Sequence, residues 1–124
     1  MKKIVIVGAL GYLGTELCRI YSGESWKNKI IALDNRFVSE RVSQLNKWDI
    51  EFFQGHILDN DFLKKHLNDA DIVHHLAGVT DVAYVKTEAN SELDERIRIT
   101  AIEGTRNILK NISSKCKIIF PSTH

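Results

Sequence analysis

An α/β fold built on a doubly wound parallel sheet is predicted by three observations. Short β-branched runs alternate with amphipathic helical stretches along the chain, the first run passes directly into a glycine-spaced turn, and the second ends on an aspartate twenty residues after the last of those glycines. Strands separated by helical crossovers pair in parallel with right-handed connections, which gives strand order 3-2-1-4-5 with helices on both faces. A chain of 124 residues has material for one core, so residues 1–124 are read as a single domain.

The first strand is Ile4-Val5-Ile6-Val7, apolar on both faces as a central parallel strand should be. Gly8, Gly11 and Gly14 follow at three-residue spacing where the strand meets a helix. Gly8 permits the tight turn, Gly11 lets backbone approach a pyrophosphate, and Gly14 lets the helix pack closely on the strand. The helix N-terminus then presents its unpaired N–H groups to the phosphates, so the turn reads as a dinucleotide phosphate site. Glycines also occur in ordinary strand-to-helix turns, and Asp34 is what raises the reading above that. It closes the second strand, Lys29-Ile30-Ile31-Ala32-Leu33, where an acid is expected to hydrogen-bond the adenosine ribose. The same carboxylate favours NAD over NADP. A 2′-phosphate ~4 Å away would cost about 4 kcal/mol at an effective dielectric of ~20. Arg36 offsets part of that repulsion, since a guanidinium pairs with phosphate.

In the first helix Leu13, Leu17, Ile20 and Tyr21 recur at helical spacing and are read as its core stripe. A short helix is expected within residues 36–48 from Val38, Val42 and Leu45, with Trp48 before the third strand. That strand is Ile50-Glu51-Phe52-Phe53, ended by Gly55, and Asp59 caps a helix carrying Phe62, Leu63 and Leu67. Asp69 and Asp71 bracket the next turn. The fourth strand, Ile72 to Ala77, stops at Gly78, and a surface loop runs to about Asn90. A long helix from Leu93 to Ile112 places Leu93, Ile97, Ala101, Ile108 and Leu109 mostly on one side. Gly104 inside it costs up to ~1 kcal/mol and calls for a close contact. Lys117 to Phe120 forms the fifth strand, ended by Pro121.

Composition excludes several classes. Seventeen basic against sixteen acidic side chains, with no long block of one sign, argue against a nucleic-acid partner. No apolar stretch approaches eighteen residues and the first strand begins within three residues of the start, so neither a membrane span nor a signal peptide is expected, and a cytoplasmic location is. Cys18 and Cys116 make no disulfide or metal pattern and read as buried or half-buried thiols. His74 and His75 are adjacent on a strand, so they point to opposite faces and no metal site is expected. Glu92, Asp94, Glu95, Arg96 and Arg98 read as the solvated face of the long helix.

These motifs together resemble the extended short-chain dehydrogenase/reductases, the NAD-dependent epimerase/dehydratase group acting mainly on nucleotide sugars. The glycine spacing, Leu33-Asp34-Asn35, Val73-His74-His75-Leu76-Ala77-Gly78, Glu103-Gly104-Thr105-Arg106-Asn107-Ile108-Leu109 and Ser122-Thr123 match that family's pattern in order. The resemblance implies a cofactor-binding set of Gly8, Gly11, Tyr12, Leu13, Gly14, Asp34, Asn35, Arg36, His56, Ile57, Leu76, Ala77 and Gly78, and Thr123 at the position of the catalytic serine or threonine. It also implies a nucleotide-sugar substrate and a homodimer formed through the long helix.

The departures are specific. Gly55-His56 stands where relatives have Gly-Asp, Thr100 and Ala101 stand where an asparagine precedes the Gly-Thr pair, and Thr80 stands where many have lysine. The family's catalytic tyrosine with a lysine four residues later is not found: Tyr12, Tyr21 and Tyr84 are followed at that spacing by Glu16, Ser25 and Glu88. The first expectation is therefore the cofactor half of an epimerase, dehydratase or reductase whose catalytic tyrosine-lysine segment and substrate domain lie beyond this sequence. The alternative is an inactive stand-alone NAD-binding module acting as a sensor or interaction subunit.

Overall fold

The structure, a computed structural model, describes residues 2–23, 27–77 and 91–120, with the backbone alone at 91–94 and 97. Its elements alternate: β1 (Lys3–Val7), α1 (Tyr12–Ser22), β2 (Lys29–Asp34), α2 (Ser39–Lys47), β3 (Glu51–Gln54), α3 (Asn60–Leu67), β4 (Ile72–His75), α4 (Ser91–Asn111) and β5 (Lys117–Ile119). All neighbouring strands pair in parallel, in the order β3-β2-β1-β4-β5, as the alternation predicts.

Side-chain parity sorts the core into two layers. Val5, Val7, Ile31, Leu33 and Val73 face one way and pack with Leu63, Leu67 and Ile108 of α3 and α4. Ile6, Ile30 and Ala32 face the other way, against Cys18, Leu45 and Ile50. The central strands read as continuous apolar runs because both of their faces are covered. Each fully buried Leu or Ile side chain contributes about 1.5–3 kcal/mol.

Several boundaries and faces differ from the sequence reading, each for a physical reason. In α1 the buried line runs through Gly14 and Cys18, flanked by Leu17 and Tyr21, whereas Leu13 is 44% and Ile20 61% exposed. The helix is rotated so that its glycine, the residue with least bulk, touches the strand-end turn. In α4, Ile108 is fully buried but Leu109, one residue on and about 100° round the helix, is exposed. Leu93 and Ile97 lie among residues whose side chains are not described. The short helix expected within residues 36–48 is present at Ser39–Lys47, with Phe37 and Val38 exposed ahead of it.

β4 ends at His75, not Ala77. Leu76 N–H still donates to Val7 O at 2.9 Å, but β1 turns away at Gly8 and leaves no further ladder partner. β5 likewise ends at Ile119, whose partner is His74 near the end of β4. Phe120 instead stands edge-on to the His75 ring, with centroids 5.5 Å apart.

Two helix ends show how local chemistry sets direction. Asp59 caps α3, accepting from Phe62 N at 3.2 Å, as its position predicts. α2 closes through Asp49 in the left-handed region, φ 60°, with Asp49 N donating to Asn46 O at 3.1 Å and Ile50 N to Leu45 O at 2.9 Å. That pair of bonds is a Schellman motif in which aspartate takes the usual glycine position, and Leu45 and Ile50 are both buried in the same core layer. Among the described residues, no helix is long and apolar enough to cross a membrane.

Candidate functional site

The C-terminal ends of β1, β2 and β4 open onto a cavity of about 480 Å³. Its floor is the glycine turn. Gly8 takes φ +86°, and a Cβ there would lie 2.7 Å from Ala77 N, so both the backbone angle and the passage of the chain after β4 require glycine. Gly8 N and Ala9 N both donate to Leu33 O, at 2.8 and 3.1 Å. A Cβ on Gly14 would collide with Gly8 O and lie 2.7 Å from Ala9 Cα, so α1 packs directly on the turn. Gly11 caps α1 with no side-chain hydrogen bond and no acid in the first turn. The first-turn N–H groups of Tyr12, Leu13 and Gly14 therefore have no carbonyl a turn earlier to meet, and the positive end of the helix is open to an anion. Arg41 supports the turn from behind by donating to Leu10 O.

Asp34 sits at the end of β2 with its side chain 2% exposed. Leu10 N donates to its Oδ2 at 2.9 Å and Arg36 N to its Oδ1 at 3.0 Å. The Arg36 guanidinium, 52% exposed, closes over it through Nε to Oδ1 at 3.1 Å and Nη2 to Oδ2 at 3.2 Å. The glycine turn and the acid are thus tied to each other by a buried charge-assisted hydrogen bond.

The opposite wall is built differently. Gly55 N donates to Asp34 O at 2.9 Å, bringing the turn after β3 alongside β2. His56 is exposed and its Nδ1 accepts from Leu58 N at 3.1 Å. Ile57 packs on Gly104 so closely that a Cβ there would collide with its Cδ1 and lie 2.6 Å from its Cγ1, and Asn107 Nδ2 donates to Ile57 O at 3.1 Å. This is the close contact that a glycine inside α4 implies. From α4 the residues Arg96, Thr100 and Ala101 line the cavity.

The expected set is therefore largely brought together. Gly8, Gly11, Asp34, Asn35, Arg36, His56, Ile57, Leu76 and Ala77 border the cavity. Tyr12 (79% exposed) and Leu13 turn their side chains to solvent, and Gly14 lies under the turn, so these three offer backbone and not side chains. Gly78 and Thr123 lie outside the described residues. Arg96, read as part of the solvated face of the long helix, is exposed and also borders the cavity. One helical turn separates it from Thr100 and two from Gly104, so the face that Gly104 must present to Ile57 carries Arg96 as well, a signal present in the spacing.

The two strand histidines diverge as adjacent strand residues must. His74 Nε2 pairs with Tyr21 Oη at 2.7 Å on the α1 face. His75 Nε2 meets Thr105 Oγ1 at 2.9 Å on the α4 face. Thr105 donates its own proton to Ala101 O at 2.8 Å, so it accepts from His75 and assigns the Nε2-protonated tautomer. His75 Nδ1 has no hydrogen-bond partner among the described residues. Burial holds both imidazoles below the ordinary histidine value, keeping them neutral. Burial also pushes the Cys18 thiol up to about 12, and burial with the nearby Asp71 raises Cys116, so neither is a ready nucleophile. Among the described residues no three His, Cys, Asp or Glu side chains gather as a metal-ligand group.

A model of the 3-beta hydroxysteroid dehydrogenase/isomerase family matches residues 5–123. Over 135 aligned residues the chain is 33% identical to a dTDP-D-glucose 4,6-dehydratase of Dictyostelium discoideum, covering 99% of this chain and 29% of that one. It is 29% identical to a UDP-N-acetyl-alpha-D-glucosaminuronate decarboxylase of Bacillus cytotoxicus, covering 98% of this chain and 36% of the relative. The fold is shared with a UDP-glucose-4-epimerase of Stenotrophomonas maltophila solved with bound NAD, at a TM-score of 0.73 and 16% identity, over 97% of this chain and 36% of that one. The chain thus spans about a third of the length of the relatives it matches.

Proposed function

The chain belongs to the 3-beta hydroxysteroid dehydrogenase/isomerase family, and from that premise we propose that it is the NAD-binding module of an oxidoreductase that moves hydride between a nicotinamide and a nucleotide sugar. The observation that carries the reading is the buried Asp34 carboxylate, held by Leu10 N at the mouth of the glycine turn and bordering the same cavity as Gly8 and Gly11.

The residues fit a dinucleotide. The adenosine ribose is assigned to Asp34, and the pyrophosphate to Gly11 and the open first turn of α1, where no side chain competes for the N–H groups. His56 and Ile57 border the adenine end, and Leu76 with Ala77 the nicotinamide end. The nicotinamide, when bound, supplies a reversible hydride acceptor. Thr123 is proposed to donate a hydrogen bond to the reacting sugar oxygen. The nucleotide-sugar substrate is supported by the names of the two curated relatives, each aligned along nearly the whole chain. A second copy of the chain is proposed to cover α4, where Ile99, Ile102 and Leu109 are exposed at helical spacing.

Calorimetric titration with NAD tests the reading. One-to-one binding is expected, weakened about tenfold or more in Asp34→Ala as a buried charge-assisted partner is lost. A folded chain that takes up no NAD would overturn it.

A further inference from the structure

The glycine-turn wall of the cavity meets an anion with partial charges only. The first turn of α1 carries Tyr12, Leu13 and Gly14, with no lysine or arginine among them. Its open N–H groups act as about half an elementary charge, whereas each phosphate of a pyrophosphate bears a full one. Arg36 does not make up the difference. Its guanidinium lies on the Asp34 carboxylate, Nε to Oδ1 at 3.1 Å and Nη2 to Oδ2 at 3.2 Å, and the two charges offset each other.

A full charge stands on the other wall. Arg96 of α4 borders the same cavity as Gly8 and Gly11, and among the described residues no ion pair or hydrogen bond engages its side chain. The helix that carries it is pinned. A Cβ on Gly104 would lie 2.6 Å from Ile57 Cγ1, and Asn107 Nδ2 donates to Ile57 O at 3.1 Å. Arg96 precedes that contact by about 12 Å along the helix axis, which brings it to the rim. Thr100 and Ala101, the lining residues of α4 nearer the contact, are small and uncharged. Leu33, Ile57, Leu76 and Ala77 make much of the remaining lining apolar, so a charge contact inside it is screened less than one on the open surface.

Resting on the dinucleotide reading above, we propose that Arg96 is a phosphate-binding residue: its guanidinium reaches from α4 to the pyrophosphate seated on the first turn of α1 and holds it from the side that the helix end leaves open. Backbone N–H groups then fix where the phosphates lie, and Arg96 supplies the full charge that the turn lacks.

Titrations of the chain, of Arg96→Ala and of Arg96→Lys with NAD, ADP and adenosine test this, followed by amide NMR shifts, which read weak binding as well as tight. Arg96→Ala is expected to weaken NAD and ADP about five- to tenfold, the size of a partly exposed charge-assisted contact, and to leave adenosine unchanged. Raising the salt concentration from about 0.05 to 0.5 M should weaken NAD less in that variant than in the unmodified chain. Arg96→Lys keeps the charge and should hold NAD within about threefold. Equal weakening of all three ligands in Arg96→Ala, or no weakening of any, would overturn the proposal. Loss confined to NAD, with ADP and adenosine unmoved, would place the guanidinium on the nicotinamide half and overturn it as well. A chain that binds none of the three would instead remove the reading on which the proposal rests.

Discussion

The two walls of the cavity are built from different material. On the β1 and β2 side the closest contacts are backbone: a Cβ on Gly8 meets Ala77 N, and one on Gly14 meets Ala9 Cα. On the α4 side the contact at Gly104 is with the end of a flexible side chain, Ile57. The first wall cannot yield without moving the sheet itself. The second can be re-cut by side-chain substitution, and it carries Arg96, Thr100 and Ala101. The geometry of the proposed phosphate-binding turn is therefore fixed by the fold, whereas the outer cavity is open to change.

The largest expected effect tests the rigid wall. Gly8→Ala adds a left-handed backbone cost to an unrelieved backbone collision, and is expected to remove about 3 kcal/mol or more of stability together with NAD binding. Urea unfolding measures it, and a loss under about 1 kcal/mol would show that the turn gives way. Gly104→Ala is expected to cost about 1–3 kcal/mol, and most of that should return when Ile57→Ala is added. No recovery in the double variant would mean that the α4 wall is as rigid as the other.

A smaller effect comes from the paired histidines, one on each face of β4. Burial depresses both folded-state values below the ordinary 6.5. Above that pH both folded and unfolded imidazoles are neutral and contribute no pH dependence. As the pH falls through 6.5 the unfolded chain takes up protons that the folded chain refuses, so stability falls, by up to about 1.4 kcal/mol per pH unit for each histidine. The fall levels off once the folded imidazoles protonate. Unfolding free energies at pH 7.5 and 5.5 check this, and equal values would show that the buried rings are charged at no cost.

What could be read in the sequence follows the same division. Gly8, Gly11, Gly14 and Asp34 are legible because their chemistry depends on a few consecutive residues and a fixed spacing. The strand order is legible because parallel pairing with right-handed crossovers leaves few topologies. The end of β4 at His75 was not, because a strand stops where its neighbour turns away, and that is a property of β1. The exposure of Leu13, Ile20 and Leu109 depends on the rotation of each helix about its axis, which close contact at Gly14 and Gly104 fixes more tightly than apolar spacing does. Arg96 reads as one of five surface charges and is exposed, and its register with Gly104 also brings it to the rim of the cavity. Asp49 carries no glycine signal, and its left-handed cap appears only once Leu45 and Ile50 are seen to meet.

The central claim is that the first turn of α1 and the buried Asp34 carboxylate together form the dinucleotide site. Amide chemical shifts followed by NMR during an NAD titration test it most directly. The account predicts large saturable shifts at Gly8, Gly11, Tyr12, Leu13 and Asp34, with residues of α2 on the far side of the glycine turn nearly unmoved. Saturable shifts elsewhere that spare the glycine turn, or none at all, would contradict it.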